Sequence, residues 1–447
     1  MNRNNAGREP RRHRVRKILK YISLGLLAIV VLLFAMIGLL YSLRGTPVER
    51  VVGMGGRGKV PAIADPEFRQ SMSLLTGTPL VAGNTVDIMI NGDETYPKLW
   101  ADLRAAKRTL TIQMYYCSPG RMATQMKDIL LERARAGVRV LFLYDAFGAG
   151  PLSSEYLDSL KTGGIELAGF RPVKWYELHK AQSRSHIRVV VADGHIGYTG
   201  GFGLDDKWFG DGRHKDQWRD SNVRLTGPAV LQLQATFAEG WAEATGELLT
   251  GELFFPLEKF EENSERLAGV MHTAPTIGST PAERFFALSI ASARKTLYIT
   301  NSYFVPDDDF RELMKKAAAR GVDVRILTAG PTTDVKTTWY AGRHRYEELL
   351  AAGVKIYEYQ PVMMHAKSLV ADGLWSSVGT MNFDNRSLAF NDESNLNSWD
   401  LITGAKMDSI FLEDLKYSKE MKLEEFRRRA WTGKLLEIGA NLLSRLL

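Results

Sequence analysis

The chain has 447 residues, 45% of them hydrophobic and 24% charged, which is enough for more than one packed core. A single cysteine, Cys117, excludes an intrachain disulfide and a cysteine-rich zinc site. The net charge of +7 comes from residues 1–20, which hold eight of the 58 Lys and Arg and one of the 51 acidic residues. The rest of the chain is neutral, so we expect no nucleic-acid partner.

This basic N-terminal tail (1–20) runs into a charge-free stretch, 21–43. At about 1.5 Å per helical residue, the stretch can cross a hydrocarbon core of about 30 Å. A cleaved signal peptide is the alternative, but the apolar run is long for one and no A-x-A-like site follows. Eight basic residues precede the stretch and few follow closely. The positive-inside rule therefore predicts one transmembrane helix with a cytoplasmic N-terminus and the main body across the membrane.

A connector, 44–82, follows, and its Gly-rich part, 52–58, has no apolar period and is typical of a tether. Globular sequence is predicted to begin near Gly83. The segment between Gly246 and Pro281 lacks clean periodicity, and we place the junction of two modules there, at 83–260 and 261–418.

The two modules share one order of predicted elements: a helix, an apolar strand, a second helix that ends at glycine, and a second strand. Such alternation predicts α/β layers with a largely parallel sheet. The elements of the first module are 96–107, 110–116, a helix ending at Gly137, and 138–144; those of the second are 282–294, 297–303, a helix ending at Gly321, and 322–328.

The last segment, 419–447, is predicted to form an amphipathic helix. Two interpretations stay open: a helix packed on the core, or a helix on the membrane surface. Its apolar face would consist of Leu435, Leu436, Ile438, Leu442, Leu443 and Leu446.

One short pattern occurs in both modules. His186 is followed by Arg188 and Asp193, and His365 by Lys367 and Asp372, at the same spacing. Residues two apart on a strand project from the same face. Two such strands brought together would place two imidazoles and two cations around one phosphate. The histidines are 179 residues apart and the helix-ending glycines 184, which indicates duplication.

These copies resemble the signature of the phospholipase D superfamily, His-x-Lys-x4-Asp followed by Gly and Asn. The second copy fits fully, with Gly379 and Asn382, whereas the first has Arg188 for Lys and Gly203 for Asn. From about Gly83 onward, the chain most resembles the bacterial cardiolipin synthases. Further stretches that carry this resemblance are 91–97, 198–201, 218–220 and 379–387.

The resemblance implies an α/β fold: two duplicated phospholipase D-like α/β/α modules packed about a pseudo-two-fold axis and preceded by one transmembrane helix. It also implies that His186 is the nucleophile and that His365 is the acid/base. Glu393 lies where the family's orienting acid follows the second histidine, and Asp220 is the candidate partner in the first module. Asp193 and Asp372 are implied to be structural, shaping turns.

The chemistry of the other site residues follows from their types. Lys367 and Arg188 would neutralise a phosphodiester, and Asn382 would donate a further hydrogen bond. Neither a metal nor a cofactor is expected, since no metal-ligand motif occurs. Trp208, Phe209 and Trp218 are interpreted as packing residues.

Four functions are compatible with these residues. The resemblance favours a membrane-bound phosphatidyltransferase that condenses two phosphatidylglycerols to cardiolipin plus glycerol through a phosphohistidine, in the bacterial inner membrane. The alternative is a phospholipase D that hydrolyses phospholipids to phosphatidic acid. A membrane-tethered nuclease and a noncatalytic lipid-binding pseudoenzyme are less favoured. The expected partners are the phospholipid and the membrane, and the oligomeric state is not predicted.

Overall fold

The computed structural model describes residues 11–43, 48–53, 59–172, 183–257, 260, 265–276 and 278–444. The interpretations of residues 1–10, 54–58 and Leu446 fall outside these ranges. The fold is mixed α/β, with one sheet in each of two modules and an apolar helix near the N-terminus.

That first helix, α1 (Arg11–Leu43), contains the apolar stretch predicted from the sequence. Within it, Arg14–Ala35 is long and apolar enough to cross a membrane, and none of it is buried against the rest of the protein. A second helix, α2 (Pro66–Thr76), lies within the segment interpreted as a connector. Its Phe68 and Met72 are buried, and the Phe68 ring packs edge-on against Trp375 at 5.3 Å. The packed part of the chain therefore begins before Gly83.

The first module contains a seven-stranded sheet in the order β1-β8-β6-β5-β2-β3-β4. Its strands are β1 (Thr85–Ile90), β2 (Thr109–Met114), β3 (Arg139–Asp145), β4 (Glu166–Phe170), β5 (Val189–Ala192), β6 (Ile196–Gly200) and β8 (Ser221–Thr226), with the short β7 (Trp218–Arg219) outside the sheet. Its helices are α3 (Asn91–Ala105), α4 (Arg121–Arg135), α5 (Ser154–Thr162) and α6 (Val230–Thr245).

The second module contains an eight-stranded sheet in the order β17-β12-β11-β10-β14-β15-β16-β9. Its strands are β9 (Leu267–Thr273), β10 (Thr296–Asn301), β11 (Asp323–Ala329), β12 (Lys355–Tyr359), β14 (Lys367–Ala371), β15 (Trp375–Gly379), β16 (Glu393–Trp399) and β17 (Ser418–Glu420), with β13 (Met363–Met364) outside the sheet. The helices are α7 (Pro281–Ser292), α8 (Asp308–Ala319), α9 (Lys336–Arg343), α10 (Tyr346–Ala351), α11 (Leu401–Leu415), α12 (Leu423–Arg427) and α13 (Trp431–Leu442).

The two sheets have the same topology. Read from β4 to β1, the first sheet repeats the order of the second from β12 to β9, and β17 extends the second at its edge. In each sheet three neighbouring strands are parallel, β2-β3-β4 and β10-β11-β12, and the others pair antiparallel. The expectation of a largely parallel sheet is therefore wrong. The hairpins that follow the two histidines turn the chain back, so the next strands run antiparallel.

The described residues form three large apolar clusters and a small fourth one of Val305, Ala341 and Ala440. One large cluster lies in the first module, one lies in the second module with α2, and one joins the facing sides of the two sheets. This shared cluster includes Val189 from the first sheet, Val370 from the second, and Phe237 of α6 and Phe411 of α11. Burial on both modules at once fixes how the two sheets sit relative to each other, which in turn positions the two histidines that precede β5 and β14.

The C-terminal segment forms β17, α12 and α13, so the prediction of one helix over 419–447 is wrong. A helix on the membrane surface stays a prediction. Helix α13 packs on the body through Glu437 and Ala440, which are buried. The apolar residues of the opposite face are exposed, with Leu442 at 73% and Leu435 at 56%.

Candidate active site

The segments that precede the two histidines exchange backbone contacts between modules. The backbone N–H of His186 donates to Asp392 O at 2.9 Å, and that of His365 donates to Arg219 O at 2.7 Å. Beside these bonds, Ser185 bridges in parallel to Asp392, and β13 pairs in parallel with β7. Each histidine is therefore held next to the residue that precedes an acidic residue of the other module.

The orienting acids consequently cross over. His186 Nδ1 lies 2.9 and 3.0 Å from the carboxylate oxygens of Glu393, and His365 Nδ1 lies 2.7 Å from Asp220 Oδ2. The prediction that Asp220 serves the histidine of its own module is wrong, because β7 leaves the first sheet to pair with β13 just before His365. With Nδ1 engaged, the Nε2 atom of each ring is available for chemistry.

The two cations lie beside the histidines in matching positions. Arg188 Nη1 donates to His186 O at 2.8 Å, and Lys367 Nζ donates to His365 O and to Ser302 Oγ. Both side chains are buried. Among the described residues, Arg188 Nε and Asn382 Oδ1 have no hydrogen-bond partner. Both residues line the cavity, and the unpaired N–H of Arg188 can donate to an anionic ligand there.

Asp193 and Asp372 lie at the hairpin turns, where both have left-handed φ values of 54° and 55°. The Asp193 carboxylate accepts from the backbone N–H groups of 107, 108 and 109, which lead into β2. Asp372 accepts in the same way from 294, 295 and 296, which lead into β10. Each carboxylate thus ties the histidine hairpin to the neighbouring strand.

The modules differ in how they hold the two orienting acids. Thr380 donates its hydroxyl to Glu393, but its counterpart is Gly201, where a Cβ would lie 2.2 Å from an Asp220 oxygen. Trp208 Nε1 donates to Asp220 instead, at 2.8 Å. At Gly203 a Cβ would come within 2.8 Å of the Trp208 ring. The first module therefore has an indole where the second has Thr380 and Asn382.

This difference changes the charge of the two acids. Burial alone would raise the pKa of Asp220, but His365, Lys367 and the Trp208 N–H outweigh it and lower the pKa to about 2. Burial raises the pKa of Glu393 to about 8, despite its hydroxyl donors. Asp220 is consequently ionised at neutral pH, whereas Glu393 is mostly protonated.

Burial also acts on the basic groups. It lowers the pKa of both histidines well below the ordinary value, and the neighbouring Arg188 and Lys367 lower it further. Burial lowers the pKa of Lys367 to about 7. A bound phosphodiester would reverse part of this effect, because its negative charge favours the protonated cations.

Both imidazoles line one cavity of about 300 Å³. His186 packs edge-on against Tyr115 at 4.9 Å, and His365 lies between Trp208 and Trp218, at 5.3 and 4.8 Å. The cavity is also lined by Tyr116, Arg188, Tyr303, Asp334, Val335, Thr338, Asn382, Asp384, Arg386, Ser387 and Asn391. A mixed aromatic and cationic lining suits an anionic, partly apolar ligand.

The structure thus brings together His186, Arg188, His365, Lys367 and Asn382, with Asp220 and Glu393 behind the two rings. Several contributors were missed from sequence. Trp208 and Trp218 were interpreted as packing residues, but both contact His365. The glycine at 203, where the second module has Asn382, was a signal that another side chain fills this space. Asp384, whose pKa burial raises to about 7, gave no comparable signal.

Comparison with known proteins agrees with this geometry. A family model described as "Cardiolipin synthase, PLD-like domain" matches residues 288–415. The cardiolipin synthase of Geobacillus kaustophilus is 35% identical over 371 residues, which cover 83% of this chain and 74% of the relative. Cardiolipin synthase 2 of Bacillus anthracis is 36% identical over 363 residues, covering 80% and 70%.

Among solved structures, the phosphatidylserine synthase of Haemophilus influenzae superposes with a TM-score of 0.64 at 12% identity, covering 86% of this chain and all of that one. This likeness shows the fold alone. The two modules and their paired histidines define a phospholipase D superfamily protein. With its identity to relatives over most of both lengths, the chain belongs to the cardiolipin synthase family.

Proposed function

We propose that the protein is a membrane-bound phosphatidyltransferase that condenses two phosphatidylglycerols to cardiolipin and glycerol through a phosphohistidine. The observation that carries this proposal is the crossed pair of His–carboxylate contacts around one cavity. Two imidazoles with Nδ1 engaged, flanked by Arg188 and Lys367, form a centre for in-line displacement at phosphorus. Family membership supplies the substrate class.

In the first step His186 Nε2 attacks the phosphorus of phosphatidylglycerol and forms the P–N bond. The bond from phosphorus to the glycerol oxygen breaks. Asp220 and the bound phosphodiester anion favour the imidazolium of His365, which donates its Nε2 proton to that oxygen, and glycerol leaves. Arg188, Lys367 and Asn382 stabilise the charge on the non-bridging oxygens in the transition state.

In the second step a glycerol hydroxyl of another phosphatidylglycerol attacks the phosphorus. Neutral His365 removes the hydroxyl proton as the P–N bond breaks, which regenerates both histidines and yields cardiolipin. The ionised Asp220 suits His365 to this alternation, since it stabilises the imidazolium. His186 is nucleophilic when its Nδ1–H donates to a carboxyl oxygen of Glu393, because Nε2 then carries the lone pair that attacks phosphorus.

Asp193 and Asp372 take no part in these steps, and their role is to fix the hairpins that carry the histidines. Helix α1 spans the bacterial inner membrane, with the N-terminus in the cytoplasm and the catalytic modules on the other side. Protease accessibility of the modules in intact spheroplasts tests that orientation.

Product analysis tests the reaction. Purified full-length protein in phosphatidylglycerol vesicles should release one glycerol for each cardiolipin formed. Phosphatidic acid as the main product would indicate a hydrolytic phospholipase D, and lipid binding without turnover a noncatalytic protein. Activity should persist in EDTA, whereas a strict metal requirement would contradict the two-histidine mechanism.

A further inference from the structure

The ammonium group of Lys207 lies among three aromatic rings at the cavity. Its Nζ is 3.8 Å from the ring centroid of Tyr116, 3.9 Å from that of Trp218 and 4.8 Å from that of Trp208. The side chain is partly buried. Over the ranges that the structure describes, the ammonium has ring contacts but no hydrogen bond or ion pair.

These rings connect Lys207 to the chemistry. Trp208 and Trp218 are the two rings that contact His365, and all three rings line the cavity. The Trp218 ring contacts both the ammonium of Lys207 and the imidazole of His365. At most one aromatic ring therefore separates these two groups. Lys207 therefore lies on the His365 side of the centre, where the proposed mechanism places the leaving alcohol and the acceptor.

Ring contacts hold an ammonium without using its hydrogen-bond donors. Burial lowers the pKa of Lys207, the carboxylates of Asp205 and Asp334 raise it, and Arg188 lowers it. Asp205 accepts from the backbone N–H of Lys207, and Asp334 accepts from the hydroxyl of Tyr303. Both carboxylates thus have partners of their own, and the ammonium can donate to an anionic ligand.

We propose that Lys207 forms a second phosphate site, which binds the phosphate of the acceptor phospholipid. The proposal rests on the phosphatidyltransferase function and adds a basis for choosing lipid over water. In the product, the two phosphorus atoms are joined through one glycerol and lie six covalent bonds apart. The acceptor phosphate must therefore lie near the reacting one during the second step. Water and free glycerol carry no phosphate and cannot use this site.

The variant Lys207→Gln tests the proposal by two assays on the same preparation. One measures cardiolipin formation from phosphatidylglycerol vesicles, and the other measures exchange of radiolabelled free glycerol into phosphatidylglycerol. Loss of one charge-assisted hydrogen bond should lower the ratio of cardiolipin formation to exchange by about 10- to 100-fold, mainly through KM. Lys207→Arg should recover much of the ratio. Lys416→Gln, at an exposed lysine of the second module, is the matched control.

Equal loss of both activities in Lys207→Gln would show a structural role and overturn the proposal, and so would an unchanged ratio. Failure of the phosphatidyltransferase function is distinguishable, since the wild-type protein would then form no cardiolipin. A Lys207→Gln variant that fails to fold is recognised by its melting curve, and Lys207→Met, which keeps an apolar chain among the rings, then supplies the ratio. In that case, a Met variant that loses both activities equally, or that keeps the wild-type ratio, contradicts the second phosphate site.

Helix α13 packs on the body through its polar face and exposes its apolar face. The residues of its apolar stripe are spaced four, three and four apart, which is one face of a helix, and all are exposed. The opposite face is buried: Glu437 accepts hydrogen bonds from Arg429, and Ser444, just beyond the helix, accepts one from Arg345. The stripe consists of Trp431, Leu435, Ile438 and Leu442.

We infer that this stripe lies in the interface of a bilayer rich in anionic phospholipid. The exposed Arg428 precedes the helix and can complement anionic headgroups, whereas the neighbouring Arg427 pairs with Glu347. Helix α13 packs on α9, and Thr338 of α9 lines the active-site cavity. Contact between the stripe and the bilayer would therefore hold the cavity close to the lipid substrate.

A site-specific probe tests this contact. Cys117 is buried, so a cysteine at Leu442→Cys can be labelled selectively with an environment-sensitive dye in the full chain. In phosphatidylglycerol proteoliposomes, doxyl lipids should quench this probe at least about twofold, but not one at Lys416→Cys. Absence of quenching at Leu442→Cys contradicts the inference. If the emission of the dye at Leu442→Cys instead changes with the number of protein molecules per vesicle, and not with doxyl lipid, the stripe contacts a second copy of the protein.

Discussion

The two halves of the centre share a backbone plan but differ in charge. His365 is backed by the ionised Asp220, which Trp208 holds through its indole N–H. His186 is backed by Glu393, which burial keeps mostly protonated. A duplicated fold has thus become two unequal half-sites. The difference supports a division of labour, in which His186 forms the covalent bond and His365 moves protons.

The largest effects are expected at the histidines themselves. His186→Ala and His365→Ala should each lower cardiolipin formation by more than about 10³-fold. The two variants should differ in their reaction with a phosphatidyl ester of p-nitrophenol, because p-nitrophenolate leaves without taking up a proton. His365→Ala should then still release a burst of p-nitrophenol, whereas His186→Ala should not. Equal bursts from both variants would remove the proposed division of labour.

The orienting acids come next. Asp220→Asn should lower kcat by about 10²- to 10⁴-fold, because the imidazolium of His365 loses an ionised partner. Glu393→Gln should cost less than about 10-fold, since an amide resembles the protonated carboxyl in shape and charge. Steady-state kinetics and circular dichroism of both variants check this order. A larger loss in Glu393→Gln than in Asp220→Asn would reverse the assignment.

Substitutions of the two cations, Lys367 and Arg188, should have effects of intermediate size on kcat. Lys367→Ala should lower kcat by about 10²- to 10³-fold through loss of transition-state stabilisation. Arg188→Lys should cost only about 10-fold, because Lys367 shows that an ammonium at the matching position reaches the carbonyl of its histidine. The pair is measured as kcat on phosphatidylglycerol vesicles, and folding is checked by melting temperature. Full loss in Arg188→Lys would mean that the guanidinium geometry is essential.

The last prediction concerns how the free energy of unfolding depends on pH through Glu393. The pKa of Glu393 is about 8 in the folded protein against an ordinary 4.5, so the folded state binds the extra proton between these values. The stability from this group is complete below about 4.5 and is lost as pH rises through 8. The melting temperature of Glu393→Gln relative to wild type should therefore rise from pH 5 to pH 8. Thermal unfolding in one detergent measures it, and a constant difference would contradict a raised pKa.

Local patterns in the sequence predicted more of this structure than they did of the contacts between distant residues. Repeated spacing predicted the duplicated α/β fold and a strand at each motif. Each histidine nevertheless lies just before its strand, β5 or β14, because its backbone N–H bonds to the other module. The spacing could not predict that β7 pairs with β13, a contact across 145 residues, so the acids were assigned to the wrong histidines. Helix α2 was missed because Gly-rich sequence precedes it, and its burial depends on the second module. The hydrogen bond from Trp208 to Asp220 depends on the space left by Gly201 and Gly203, which the sequence does not show.

A complex with vanadate tests the central claim of a shared centre most directly. Vanadate adopts the five-coordinate geometry of phosphoryl transfer. Its structure in the full-length protein should show vanadium bonded to Nε2 of His186, with the opposite apical oxygen hydrogen-bonded to Nε2 of His365. Vanadate held by one histidine alone, with the other ring out of hydrogen-bond reach, would contradict the account.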